Sequence, residues 1–290
     1  MLMGALLVWY VLTFGAVVFV IWDQTTNTPS VGVMKLAWVL VMLYTGPIGL
    51  FVYLLSCRQP LPGTHDAFIA PHWKQTIGSM AHCLAGDATG IIISAAIVYH
   101  FMLPNGIDLI IEYLSAFVVG LLVFQALFMK SMFGSYWVAV RKTFFAETVS
   151  MNMVMFGMIP TMVILMHVVP DGDNPWNPAF WGVMSVATMI GGITAYPINS
   201  WLVGKGYKHG MMTASSADKP AAAMGSHGEH AGHAMSGHAH HGGHEGGGGH
   251  HHASGMPEPS GTTVVTVSLG TFVLMLAAAA VASRFAPISF

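Results

Sequence analysis

The sequence predicts an all-α fold, a polytopic transmembrane helix bundle of about seven spans with a disordered His/Met-rich loop before the last one. Three observations carry that expectation. Of 290 residues, 54% are hydrophobic and only 8% are charged, against roughly 25% charged in a soluble domain. Seven segments are apolar over the 20 or so residues needed to cross about 30 Å of hydrocarbon. One long tract, from about residue 204 to 261, is instead rich in Gly, Ala, Ser and His with no apolar periodicity, a composition that cannot bury enough surface to offset chain entropy.

The expected spans are 2–22, 34–55, 76–103, 107–129, 145–169, 179–203 and 263–285. The first, "MLMGALLVWYVLTFGAVVFVIW", exceeds a signal-peptide core and has neither a basic leader nor a small-residue cleavage site before Trp22, so it is expected to stay attached. The third and fourth are separated by "PNG", where Pro104 and Gly106 supply stop and turn chemistry. These boundaries divide the chain into an N-terminal helix pair (1–69), a four-helix core (70–213), the His-rich loop (214–262) and a last helix (263–290). Cys57 and Cys83 are too few for a disulfide framework and read as free thiols.

Placing the N-terminus in the cytoplasm puts Arg58, Lys74, Lys130, Arg141, Lys142, Lys205, Lys208 and Lys219 inside, with only Lys35 and Arg284 outside. The expectation is a multi-pass cytoplasmic-membrane protein with the N-terminus and His-rich loop inside and the C-terminus outside. Trp22, Trp73, Trp176, Trp181 and Trp201 fall near span ends, where indole rings anchor at headgroup level.

The strongest chemical signal is the loop. It holds His209, His227, His230, His233, His238, His240, His241, His244, His250, His251 and His252, with Met211, Met212, Met224, Met235 and Met256 among or beside them. Imidazole suits Zn, Cu and Ni, and thioethers favour Cu(I). A flexible backbone with His-x2-His and His-x-His spacings suits weak, exchangeable sites. The competing reading is a passive solubilising linker.

Ionisable groups at membrane depth cost about 2.5–3.5 kcal/mol on insertion scales and therefore face a bundle interior or a cavity. In "GSMAHCLAGDATG", Gly78, His82, Gly86 and Gly90 recur at four-residue steps, with Ser79, Cys83 and Asp87 on the adjacent stripe. The glycines admit a close helix neighbour. His82, Cys83 and Asp87, with Met80, read as part of a metal or proton path; the alternative is an interhelical clasp of His82 and Asp87 with Cys83 as packing. On the fifth span, Met151, Met155, Met158, Met162 and Met166 form a stripe, flanked by Glu147 and Asn152 at one end and His167 at the other. Such a stripe suits Cu(I) transfer, or serves as ordinary gap-filling. On the sixth, Pro197 interrupts the backbone ladder beside Tyr196 and Asn199.

Motifs for an ATP-driven pump, c-type haem, a zinc protease or nucleic-acid binding are absent. The stretches "WKQTIGSMAHCLAGDATGIIISAAI", "ETVSMNMVMFGMIPTMVI" and "YPINSWLVGKGYKHGMM" together resemble a family of bacterial and archaeal polytopic membrane proteins known only as a domain of unknown function, some members of which carry the loose label copper oxidase. The resemblance, over about residues 70–213, implies a signature of His82, Cys83, Asp87, Glu147, Asn152, Asn199, Lys208, His209 and Met211, and no activity. The expected function is transition-metal handling, most simply copper transport or homeostasis, with zinc or nickel as alternative metals. Two other functions stay open: a chaperone or assembly subunit of a membrane copper enzyme, and a membrane redox enzyme using haem or quinone. Catalysis is left open, with the balance against it. The expected partners are the bilayer, a metal ion and either such an enzyme or a second copy, with no nucleic acid.

Overall fold

The computed structural model describes residues 2–213 and 256–289. The chain is an all-α bundle in which seven helices are long and apolar enough to cross a membrane. Every expected span is one of them. In order they are α1 (Leu2–Thr26), α2 (Gly32–Ser56), a short α3 (His65–Ile69), α4 (His72–Val98), α5 (Asn105–Val118), α6 (Ala126–Phe133), α7 (Tyr136–Val168), α8 (Pro178–Gly204) and α9 (Gly261–Ala282). A π-helical segment, Val119–Gln125, joins α5 to α6, so that Asn105–Lys130 acts as one long helix.

The second apolar segment takes a course that hydropathy does not show. Gly46 sits at φ 55° and ψ −135° in the middle of α2 and is followed by Pro47. That backbone region is open essentially to glycine alone, and a Cβ there would also strike Trp9 and Thr13. The helix turns back. The rings of Trp38 and Tyr53 lie 5.2 Å apart edge to face, whereas fifteen residues of continuous helix would separate them by about 22 Å at 1.5 Å per residue. Tyr53 and Arg58, from the returning limb, reach Asp23 at the end of α1. α2 is therefore a re-entrant hairpin whose tip meets the middle of α1.

Asp23 locks that hairpin. Its fully buried carboxylate accepts from Tyr53 Oη at 2.6 Å, Thr28 Oγ1 at 2.7 Å, Arg58 Nε at 2.9 Å and Asn27 Nδ2 at 3.2 Å. A buried carboxylate with four donors meets the requirement that buried charge be paired and hydrogen-bonded.

The hairpin resets which ends of the bundle lie together. Trp9 Nε1 donates to Ser185 Oγ and Tyr10 Oη to the Pro178 carbonyl, placing the start of α1 beside the start of α8. The ends of α1, α2 and α8 and the starts of α4, α7 and α9 lie at the opposite end: His72 pairs with Ser200 at 3.0 Å, Thr213 forms a β-bridge with Ser30, and Lys142 pairs with Glu258. The N-terminus and the residues flanking the loop thus lie at opposite ends of the bundle, where the sequence expectation puts them on one side of the membrane. Residues 213 and 256, which flank the loop, lie at the end away from the N-terminus, because α2 returns to the end it started from. Lys35, expected on the other side, joins the remaining basic residues for the same reason.

α4 is the hub, with most of its length buried. Its glycines permit this. A Cβ on Gly86 would lie 2.7 Å from Gly120 Cα, one on Gly90 2.7 Å from Ala116 Cα, and one on Gly78 2.6 Å from Met211 Cβ. The close neighbours inferred from the glycine spacing are therefore α5 with its π-segment, and residues 205–213, which turn back into the bundle after α8.

Candidate functional site

Three elements converge on the interior at the loop end of the bundle. α4 supplies Ser79, His82, Cys83 and Asp87, α7 supplies Glu147 and Ser150, and α8 supplies Asn199, all buried. The returning segment 205–213 inserts Lys208 among them, 2% exposed. Its Nζ donates to Cys83 Sγ at 2.7 Å, Asn199 Oδ1 at 2.7 Å and Ser150 Oγ at 2.9 Å. All three protons of the ammonium are used.

The thiol of Cys83 lies between this cation and a carboxylate, donating to Glu147 Oε2 at 3.2 Å. Ser150 Oγ donates to Asn199 Oδ1 at 3.0 Å, and Asn199 Nδ2 is held by the Ala195 carbonyl at 2.9 Å. Asn199 is thereby oriented with its oxygen toward Lys208.

Around this satisfied core lies a shell of unsatisfied atoms. Both oxygens of Asp87, Glu147 Oε1, Ser79 Oγ, His82 Nε2 and His209 Nε2 are buried without a hydrogen-bond partner. Glu147 Oε1 and Asp87 Oδ1 both crowd the space where Gly120 would carry a Cβ. The two carboxylates therefore flank one point on the π-segment, and only a glycine there leaves room. A π-bulge is costly and often marks a functional position, and unpaired buried acceptors are each costly as well.

The clasp between His82 and Asp87 does not form. His82 Nδ1 lies 3.8 Å from Cys83 Sγ and its ring packs on Phe128 with centroids 5.1 Å apart. The donors expected to gather do so only in part. His82, Cys83, Asp87 and Glu147 share the cluster, with His209 at its edge. Asn152 makes its hydrogen bonds elsewhere: it accepts from Tyr113 Oη at 2.8 Å and donates to Thr271 at 3.1 Å, tying α7 to α5 and α9. Met80 packs toward Gly192 on α8, and Met211 packs on Gly78. Met151, Met155, Met158 and Met162 are all fully buried. The loop histidines from His227 to His252 lie outside the described residues.

Among the described residues no three His, Cys, Asp or Glu side chains are placed to hold a metal ion. What stands in the middle of the donors is the Lys208 ammonium. His209, outside the spanning helices, is pushed by burial down to about 4, so its imidazole is neutral near pH 7, and its buried Nε2 has no hydrogen-bond partner.

Sequence reasoning missed Ser150 and Gly120 and reached Lys208 only through the resemblance, whereas Glu147 was among the expected donors. A lysine four residues after a span normally reads as a surface charge. Ser150 carried no signal. Gly120 had one, a lone glycine opposite the α4 glycine stripe. Glu147 extends the methionine stripe by one four-residue step, a continuity visible in the sequence.

Fold and site define a multi-pass α-helical membrane protein with a buried lysine, thiol and carboxylate cluster. A family model described as Domain of unknown function (DUF4396) matches residues 72–208, and those bounds run from the first residue of α4 to Lys208. Comparison with curated proteins and with solved structures finds no match.

Proposed function

We propose that the chain handles a transition-metal cation in the membrane, copper being the metal its side chains suit best, and that Cys83, His82, Asp87 and Glu147 receive it. One observation carries the reading. Glu147, Met151, Met155, Met158, Met162 and Met166 follow one another at steps of four, four, three, four and four on α7, which is one helical face. The first five are at most 1% exposed. The row starts at the thiol and carboxylate cluster and ends at a cavity at the other end of the bundle, which Met162, Met166 and His167 line. Thioethers bind Cu(I) softly and could pass it stepwise.

In this reading Lys208 is a tethered cation. It holds the place of the cargo in the resting state, so the thiol and carboxylates are not left facing one another without a counter-charge. A metal enters when segment 205–213 withdraws. That segment runs directly into the His-rich tract, so capture by the loop and release of Lys208 would occur on adjacent residues.

The loop end is assigned to the cytoplasm. Lys35, Arg58, Lys74, Lys130, Arg141, Lys142, Lys205 and Lys208 lie at that end and Arg284 at the other, a positive-inside bias stronger than the one expected from seven crossings. The N- and C-termini then both lie outside.

Uptake of ⁶⁴Cu into proteoliposomes, with and without residues 220–256, tests the proposal. Saturable uptake that slows at limiting copper without the loop supports it. Tight binding without flux, with a stable partner on purification from native membranes, would favour a chaperone or assembly subunit.

A further inference from the structure

At the end of the bundle away from the loop, α4, α5, α7 and the residues after α9 enclose a cavity of about 620 Å³. Its lining includes three carboxylates, Asp108, Glu112 and Asp173, and no lysine or arginine. Glu112 is only 6% exposed, and among the described residues nothing hydrogen-bonds to it. Asp108, one turn earlier on the same face of α5, has its Oδ1 buried without a partner. The cavity also meets the end of the methionine row at Met162 and Met166, with His167 beside them.

A carboxylate shut into a cavity without a donor is a costly arrangement unless something positive joins it. From the unpartnered Glu112, the orphaned Asp108 oxygen and the lack of any lysine or arginine among the described residues of the wall, we infer that this cavity is a cation-binding vestibule, distinct from the Cys83 cluster. Its ligand class is a metal cation that keeps part of its water. The volume exceeds that of a bare ion, and among the described residues no three His, Cys, Asp or Glu side chains are placed to hold a metal ion directly, so water must supply the remaining ligands. Glu112 and Asp108 concentrate the cation, as rings of carboxylate do at channel mouths, and Met162, Met166 and His167 offer a soft ion its next ligands. The assignment of cargo to this cavity rests on the copper reading above; the binding of a cation there does not.

The experiment separates the two. Mn²⁺ is the probe, because imidazole and thioether sites bind it weakly and carboxylates bind it well. Loss of the free Mn²⁺ electron paramagnetic resonance signal is followed on the purified full-length protein. The wild type should bind Mn²⁺, E112Q and D108N should each weaken binding at least tenfold, and C83S should leave it unchanged. In proteoliposomes, E112Q should slow ⁶⁴Cu uptake severalfold at limiting copper and recover at saturation. If the wild type moves no copper but E112Q still loses Mn²⁺, the vestibule stands and the transport reading falls. Equal Mn²⁺ binding by wild type, E112Q and D108N would overturn the vestibule, as would binding that C83S or E147Q abolishes and E112Q does not. D108N keeps the test available should E112Q fold poorly.

Discussion

Lys208 makes three contacts of 2.7 to 2.9 Å with Cys83, Asn199 and Ser150, and its removal should do two opposite things. K208M takes the donor away from Cys83 Sγ, Asn199 Oδ1 and Ser150 Oγ, which should lower thermal stability; a buried polar group left unsatisfied typically costs about 1–3 kcal/mol. It also vacates the position beside the Cys83 sulfur, so Cu(I) affinity should rise tenfold or more, measured by competition with a chromogenic chelator. A K208M/C83S double variant should lose that gain. Gly120 is the second diagnostic residue. G120A drives a methyl group into Glu147 Oε1 and Asp87 Oδ1, and at this close-packed contact it should destabilise by about 1–3 kcal/mol and reduce uptake at least tenfold. The residue chemistry of α4 was legible because four-residue spacing reports a helix face directly. The role of Lys208 was not, because it depends on a turn after α8 that brings a loop lysine back inside.

At the scale of elements, the segment that carries Lys208 is anchored by histidine. His65 sits between the returning limb of α2 and the end of segment 205–213, its Nε2 3.1 Å from the Cys57 carbonyl and its Nδ1 2.7 Å from Thr213 Oγ1. Nε2 therefore carries the proton and Nδ1 accepts from the hydroxyl. Burial holds His65 below the ordinary histidine value and His209 at about 4. Unfolded, both titrate near pH 6.5. Between those values the unfolded chain binds more protons than the native one, so their contribution is complete above about pH 6.5 and is lost as pH falls toward 4. Thermal unfolding in detergent should show that loss between pH 7 and 4.5, and H209N should flatten the curve. A profile independent of pH in both proteins would contradict the anchoring.

The whole molecule shows where hydropathy stops informing. All seven apolar segments form helices, and α4, α5, α7 and α8 pack as the glycine and polar stripes imply. The path of α2 is invisible to a window average, because its two limbs are as apolar together as one span would be; only the Gly46–Pro47 pair records the turn. That turn puts the N-terminus at the end of the bundle opposite the residues that flank the loop. Cysteine-accessibility labelling in intact cells, in a variant lacking Cys57 and Cys83, should place single cysteines near residues 3 and 288 on the same face and one near residue 216 on the other. Labelling of residues 3 and 216 from the same side would contradict the hairpin.

The central claim is that a metal reaches the buried cluster and binds the Cys83 sulfur, and not merely the histidines of the loop. X-ray absorption spectroscopy at the copper edge tests it most directly, on Cu(I)-loaded protein lacking residues 220–256 and on the same protein with C83S. The account predicts sulfur ligation in the first and its loss or weakening in the second, with K208M strengthening the sulfur signal. A spectrum without sulfur ligands, or one unchanged by C83S, would contradict it.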